Sequence, residues 1–92
     1  MALLHDEAID ALMEGSPWHK DGRTIVRDFE FANFNEAVAF VNRVAIDADA
    51  ADHHPDILIH NYRKVQIRMS THTEGGITMR DIELASAINT LV

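Results

Sequence analysis

The sequence contains no cysteine, which excludes a disulfide framework, a thiolate metal site and a thiol nucleophile. Two prolines and four glycines in 92 residues leave no room for a Pro/Gly-rich linker or a fibrous repeat. Lysine and arginine number only eight against fifteen acids, a formal net charge of −7 at pH 7. That balance argues against direct binding to nucleic acid or to an anionic membrane, both of which demand a clustered basic surface. No apolar run reaches the length of a bilayer span, and the opening MALLHDEAIDALMEG carries acids where a secretory leader would carry basic residues. The expectation is a cytoplasmic protein. A glycine-rich phosphate loop and a serine in a nucleophile-elbow context are missing as well.

What is present is a globular composition, 47% hydrophobic, long enough for one domain over residues 1–92. So small a core would gain from association with a second copy. Leu4, Ala8, Ala11 and Leu12 fall on one helical face, and Gly15 with Ser16-Pro17 supplies a stop, so residues 3–14 read as a first helix. From Trp18 to Phe31 two extended pieces flank an Asp21-Gly22 turn, with Ile25, Phe29 and Phe31 on one face. Asn33 followed by Glu36 resembles a capping box. Beyond it Phe34, Ala37, Val38, Val41, Val44, Ala45 and Ala48 keep helical spacing, and Pro55 predicts an end near His53 or His54. The segments DILIHNY and VQIRMST alternate as strands, with Val65, Ile67 and Met69 inward. Thr78 can cap a last helix with Asp81 at its third position and Ile82, Ala85, Ile88 and Leu91 as its buried stripe. The order α-β-β-α-β-β-α implies an α+β fold, a four-stranded antiparallel sheet with three helices packed on one face.

The chemistry-bearing residues are histidines. His53 and His54 would occupy the last helical turn about 100° apart, so both cannot face the core. Asp49, four residues before His53, would share its face and support that ring. His72, just past the last strand, would share the outward face of Gln66, Arg68 and Ser70. Imidazole is the one side chain whose ordinary titration lies between pH 5 and 8, which suits proton transfer in either direction. Plainer readings stand beside this one. A histidine at a helix C-terminus is a favourable dipole partner, Asp81 a favourable first-turn acid, and Trp18, Phe31, Phe34 and Phe40 ordinary packing residues. His5, His19 and His60 read as solvated surface groups. A metal site built from His53, His54, His60 and His72 has poor spacing, since no HxH or HxxxH pair occurs among them.

Taken together, Asp49, His53-His54-Pro55, Tyr62, His72 and Asp81 reproduce the spacing signature of the pterin-4a-carbinolamine dehydratases. The resemblance runs from about Trp18 to the C-terminus and includes FEFANFNEAVAFVNRVA, STH at 70–72 and RDIELAS at 80–86. It implies the α+β fold just described, a homodimer or homotetramer, and no cofactor or metal. The implied reaction dehydrates 4a-hydroxytetrahydrobiopterin to quinonoid dihydropterin, recycling a pterin spent by aromatic amino acid hydroxylases. The resemblance makes His53 and His72 the acid and base candidates, with His54 helping to hold the pterin and Asp49 supporting His53. Pro55, Ser70, Thr71, Trp18 and Asp81 would border the substrate. Many members carry glutamate where this chain has Asp49, one methylene shorter. Two alternatives resemble other roles in the family: a non-catalytic dimerisation cofactor of a transcription factor, and a dehydratase-like enzyme of another pterin pathway.

Overall fold

A computed structural model describes residues 2–92. Its elements are α1 Asp6–Met13, β1 His19–Asp21, β2 Thr24–Glu30, α2 Phe34–Ala51, β3 Asp56–His60, β4 Lys64–Met69 and α3 Met79–Asn89. The four strands form one antiparallel sheet in the order β1-β2-β4-β3. Alternation decides its two faces: Val65, Ile67 and Met69 of β4 are buried, while Gln66 and Arg68 between them stay half-exposed. Against the apolar face pack Ala37, Phe40, Val44 and Ala48 of α2, Leu84, Ala85 and Ile88 of α3, and Ile9 of α1. The expected α+β architecture and element order are observed.

Local details differ, each for a physical reason. Helix α1 starts at Asp6, because Leu4 is drawn out to donate its N–H to Ile77 O at 2.9 Å. Its buried residue is Ile9, and Ala8, Ala11 and Leu12 are exposed, so the expected stripe is rotated toward solvent. Phe34, expected in the core, is 51% exposed at the first position of α2. Strand β3 stops at His60, because Asn61 and Tyr62 both adopt left-handed backbone, the conformation of a tight hairpin turn into β4. Tyr62 is consequently an exposed turn residue.

The consequential difference is at the end of α2. The helix ends at Ala51, and Asp52 takes the left-handed cap conformation, φ 48° and ψ 44°. Aspartate is among the few residues that tolerate it. His53 and His54 therefore lie beyond the helix, and Pro55 disfavours helical backbone at His54.

Candidate active site

The sheet register sets the site. Asp56 pairs with Arg68, so the chain entering β3 and the chain leaving β4 share one end of the hairpin. That end gathers His53, His54 and Pro55 on one side and Ser70, Thr71 and His72 on the other. Helix α3 begins beside them: Thr78 caps it, and Thr78 with Asp81 forms a capping box.

Asp81 is fully buried, 0% exposed, and every bond it makes is internal. Its Oδ2 accepts from the Thr71 hydroxyl and from the Thr78 N–H, both at 2.9 Å. Since the Thr71 proton is committed to Asp81, the 2.7 Å contact between the two threonine hydroxyls has Thr78 as donor. Thr78 Oγ1 in turn accepts from Arg80 N at 3.2 Å. The chain of donors thus runs one way, Arg80 to Thr78 to Thr71 to Asp81. The remaining oxygen, Oδ1, faces His53 Nε2 at 2.5 Å. With acceptors only on the carboxylate, Nε2 carries the proton and donates.

That fixes the His53 tautomer, because the hydrogen bond at one ring nitrogen decides the state of the other. His53 is 7% exposed, and its Nδ1 has no hydrogen-bond partner among the described residues. No buried side-chain nitrogen or oxygen among those residues lacks a partner, so Nδ1 is the atom that reaches solvent. In the neutral ring it presents a lone pair outward.

Asp49 does not support His53. Its Oδ1 meets His54 Nε2 at 2.9 Å, and both side chains are largely exposed. The expected i, i+4 relation to His53 is lost because the helix stops at Ala51, between the two. His72 is exposed and heads a turn closed by the Thr71–Gly76 bridge, in which Gly75 adopts a φ of +74°. Pro55 and Ser70 are half-buried alongside. Trp18 stands apart from them. It is 2% exposed, packs edge-on against Phe29 and donates its indole N–H to Asn89 Oδ1 at 2.7 Å, at the far end of α3. Thr71 and Asp81, likewise buried, can reach a ligand only through their neighbours.

Two contributors escaped the sequence reading. Thr78 was legible as a cap, but not its second bond to Thr71. Arg80 carried an indirect signal: the last turn of α2 has no basic residue, so a cation from elsewhere would be favoured there. Beside the site on the open sheet face, Arg68 binds Asp21 Oδ2 at 2.6 Å. That hydrogen bond, and secondarily the guanidinium charge, hold the Asp21 carboxyl below its ordinary range. A hollow of about 310 Å³ lies behind the His72 turn, lined by Leu3, Leu4, Arg23, Gly76 and Ile77 among others, and none of the three histidines borders it. Among the described residues no group of three or more His, Asp or Glu is placed to hold a metal ion.

A buried carboxylate that orients an imidazole, with a second imidazole on the adjoining turn, can take a proton from one atom of a ligand and give one to another. Comparison with known proteins agrees on one family. The family model described as Pterin 4 alpha carbinolamine dehydratase matches residues 2–91. A protein of Thermomicrobium roseum is 51% identical over 86 residues, covering 92% of this chain and 91% of its own length. One of Prochlorococcus marinus is 42% identical over 93 residues, covering 100% and 97%. Both carry the provisional name pterin-4-alpha-carbinolamine dehydratase. A crystal structure described as a transcriptional coactivator/pterin dehydratase from Brucella melitensis superposes with a TM-score of 0.88 at 33% identity, covering 96% of each chain. A pterin dehydratase-like protein described as a RuBisCO assembly factor in the alpha-carboxysome gives 0.67 at 21% identity, over 80% of this chain and 87% of that one, a likeness of fold alone.

Proposed function

The chain belongs to the pterin 4 alpha carbinolamine dehydratase family, and on that premise we propose that it dehydrates a pterin 4a-carbinolamine by histidine acid–base catalysis. The observation that carries this reading is the His53–Asp81 bond beside the Thr71-His72 segment, which leaves one imidazole with a fixed outward lone pair and a second imidazole free to turn. His53 Nδ1 takes the proton from N5 of the pterin. The N5 electron pair forms the C4a=N5 double bond as the C4a–O bond breaks, and protonated His72 gives its proton to the departing hydroxide. The products are quinonoid dihydropterin and water, and the two rings have exchanged one proton between them. No electron leaves or enters, so the step balances with the protein's own groups.

Asp81 is a positioning residue in this scheme, being too buried to touch the substrate. His54, Pro55 and Ser70 are proposed to hold the flat ring, and the Thr71-His72 segment to border it. The same reading extends to recycling of tetrahydrobiopterin spent by an aromatic amino acid hydroxylase, in the cytoplasm, by a homodimer or homotetramer. Among the described residues no helix is long and apolar enough to cross a membrane.

General acid–base assistance contributes typically about 10²–10⁴-fold, so stopped-flow dehydration of freshly generated 4a-carbinolamine should accelerate by that order. His53→Ala and His72→Ala should each lose most of the acceleration. The first also strips Asp81 Oδ1 of its donor and should cost about 1–3 kcal/mol of stability, whereas exposed His72 should cost little. Parent-like rates in both variants would refute the assignment, and a rate abolished by a chelator would point to a metal. A protein-interaction role, suggested by the coactivator description of the Brucella relative, would gain ground from a chain that binds a protein partner and gives no turnover.

A further inference from the structure

We propose that Arg80 is a positioning residue for this reaction, clamping from helix α3 the peptide plane that delivers His53 to Asp81. The last turn of α2 holds Asp49, with Asp52 as its cap and no basic residue, so the negative end of the helix has nothing in its own sequence to offset it. Arg80 supplies the missing cation. Its Nη2 donates to Asp52 O at 2.7 Å and to Ala51 O at 3.3 Å.

Asp52 O belongs to the same peptide unit as His53 N, and that N–H is donated to Ala48 O at 3.1 Å. The plane is therefore held at both edges, by Arg80 on the carbonyl side and by α2 on the amide side. Since a peptide unit is rigid and ends on the His53 Cα, holding it fixes the point from which the His53 side chain departs and leaves only the φ torsion to aim it. The left-handed backbone of Asp52, tolerated by aspartate at some cost, gives such a hold something to stabilise. The backbone N–H of residue 80, which every substitution tested at this position keeps, caps α3 at the Thr78 hydroxyl and so leaves the Thr78–Thr71–Asp81 chain in place when the guanidinium is removed. The guanidinium thereby acts on the His53 side of the His53–Asp81 bond without touching the imidazole.

The kinetic part of the test rests on the dehydratase reading; the spectroscopic part does not. Parent, Arg80→Ala and Arg80→Lys are compared by NMR of ¹⁵N-labelled histidine, reading the His53 Nε2–H signal, and by stopped-flow dehydration with and without millimolar guanidinium chloride. Arg80→Ala should lower kcat by about tenfold to a hundredfold, the scale of a small misplacement of a reacting group. Its KM should stay within about twofold, since the loss falls on the transition state. Its Nε2–H signal should broaden and exchange faster, and added guanidinium should restore signal and kcat in part. Arg80→Lys should fall between, because its ammonium keeps the charge and can still donate to a carbonyl but sits on a shorter stem than Nη2. A parent-like signal and kcat in Arg80→Ala would overturn the proposal, as would a kcat loss that leaves the signal intact or that guanidinium does not restore. Arg80→Gln, which keeps the stem, carries the same readouts should the alanine variant not fold. If the parent itself gives no acceleration, the dehydratase reading alone fails, and the His53 signal still decides the clamp.

Discussion

Replacing Asp81 by asparagine keeps the side-chain volume and removes one acceptor and the charge. Only one orientation of the new amide fits. Its oxygen must stay where Oδ2 now accepts from Thr71 and Thr78, because an NH₂ there would confront the Thr78 N–H at 2.9 Å. The NH₂ then faces His53 Nε2, which must turn from donor to acceptor. The ring responds by moving its proton to Nδ1, and the nitrogen that faces solvent changes from a lone pair to an N–H. The stability effect is a difference of two terms. Three contacts to a charged group fall from about 1.5–3 kcal/mol each to about 0.5–1.5, and the relieved burial of a charge offsets part of the loss. A net cost of about 2 kcal/mol follows, which for a domain of this size lowers Tm by about 8–16 °C. Activity should fall further than stability explains, by most of the 10²–10⁴-fold typical of acid–base assistance, when assayed well below the new Tm. Stopped-flow dehydration gives the rate, and ¹⁵N shifts of the His53 ring give the tautomer. Parent-like turnover with the proton on Nδ1 would refute the reasoning, because the base would then be working without its lone pair.

Asp49→Ala should change stability by less than about 1 kcal/mol, as exposed ion pairs do, and should leave the His53 tautomer untouched; thermal melts and histidine NMR check both. Gly75→Ala forces a side chain into left-handed backbone in the turn that carries His72. It should cost about 1–2 kcal/mol and reduce turnover, which denaturant unfolding and the same kinetic assay would read. The Asp21 carboxyl is lowered by its hydrogen bond to Arg68 and by that residue's charge. Because its folded value lies below the unfolded one, the pair's contribution is full above the ordinary carboxylate range and is lost as pH falls through the lowered value. An NMR titration should place Asp21 below its ordinary 3.8 in the parent and return it upward in Arg68→Met.

Much of the fold could be read from short-range patterns. Period-two alternation located Val65, Ile67 and Met69, the Asp21-Gly22 turn located the first hairpin, and Asn33 and Thr78 marked the starts of α2 and α3. The apolar periodicity of α2 was legible, yet its end was not. Pro55 constrains only the residue before it, and nothing local announces that Asp52 rather than His54 leaves the helical region. That slip of two residues moved Asp49 from His53 to His54. Trp18 was misplaced for a related reason: a resemblance carries residue positions, and the burial of this indole against Phe29 and Asn89 is a matter of packing.

By itself the sequence determined the order of elements, the apolar face of each strand and the presence of three histidines and an acid able to move protons, because periodicity, turn residues and side-chain chemistry act over a few residues. Tertiary structure alone decided that Asp81 holds His53 across 28 positions, that Arg80 caps a helix it does not belong to, and which imidazole nitrogen faces outward. Those facts depend on sheet register and on one left-handed residue, and such long-range hydrogen bonds are chosen only when the folded chain leaves a buried carboxylate no other donors.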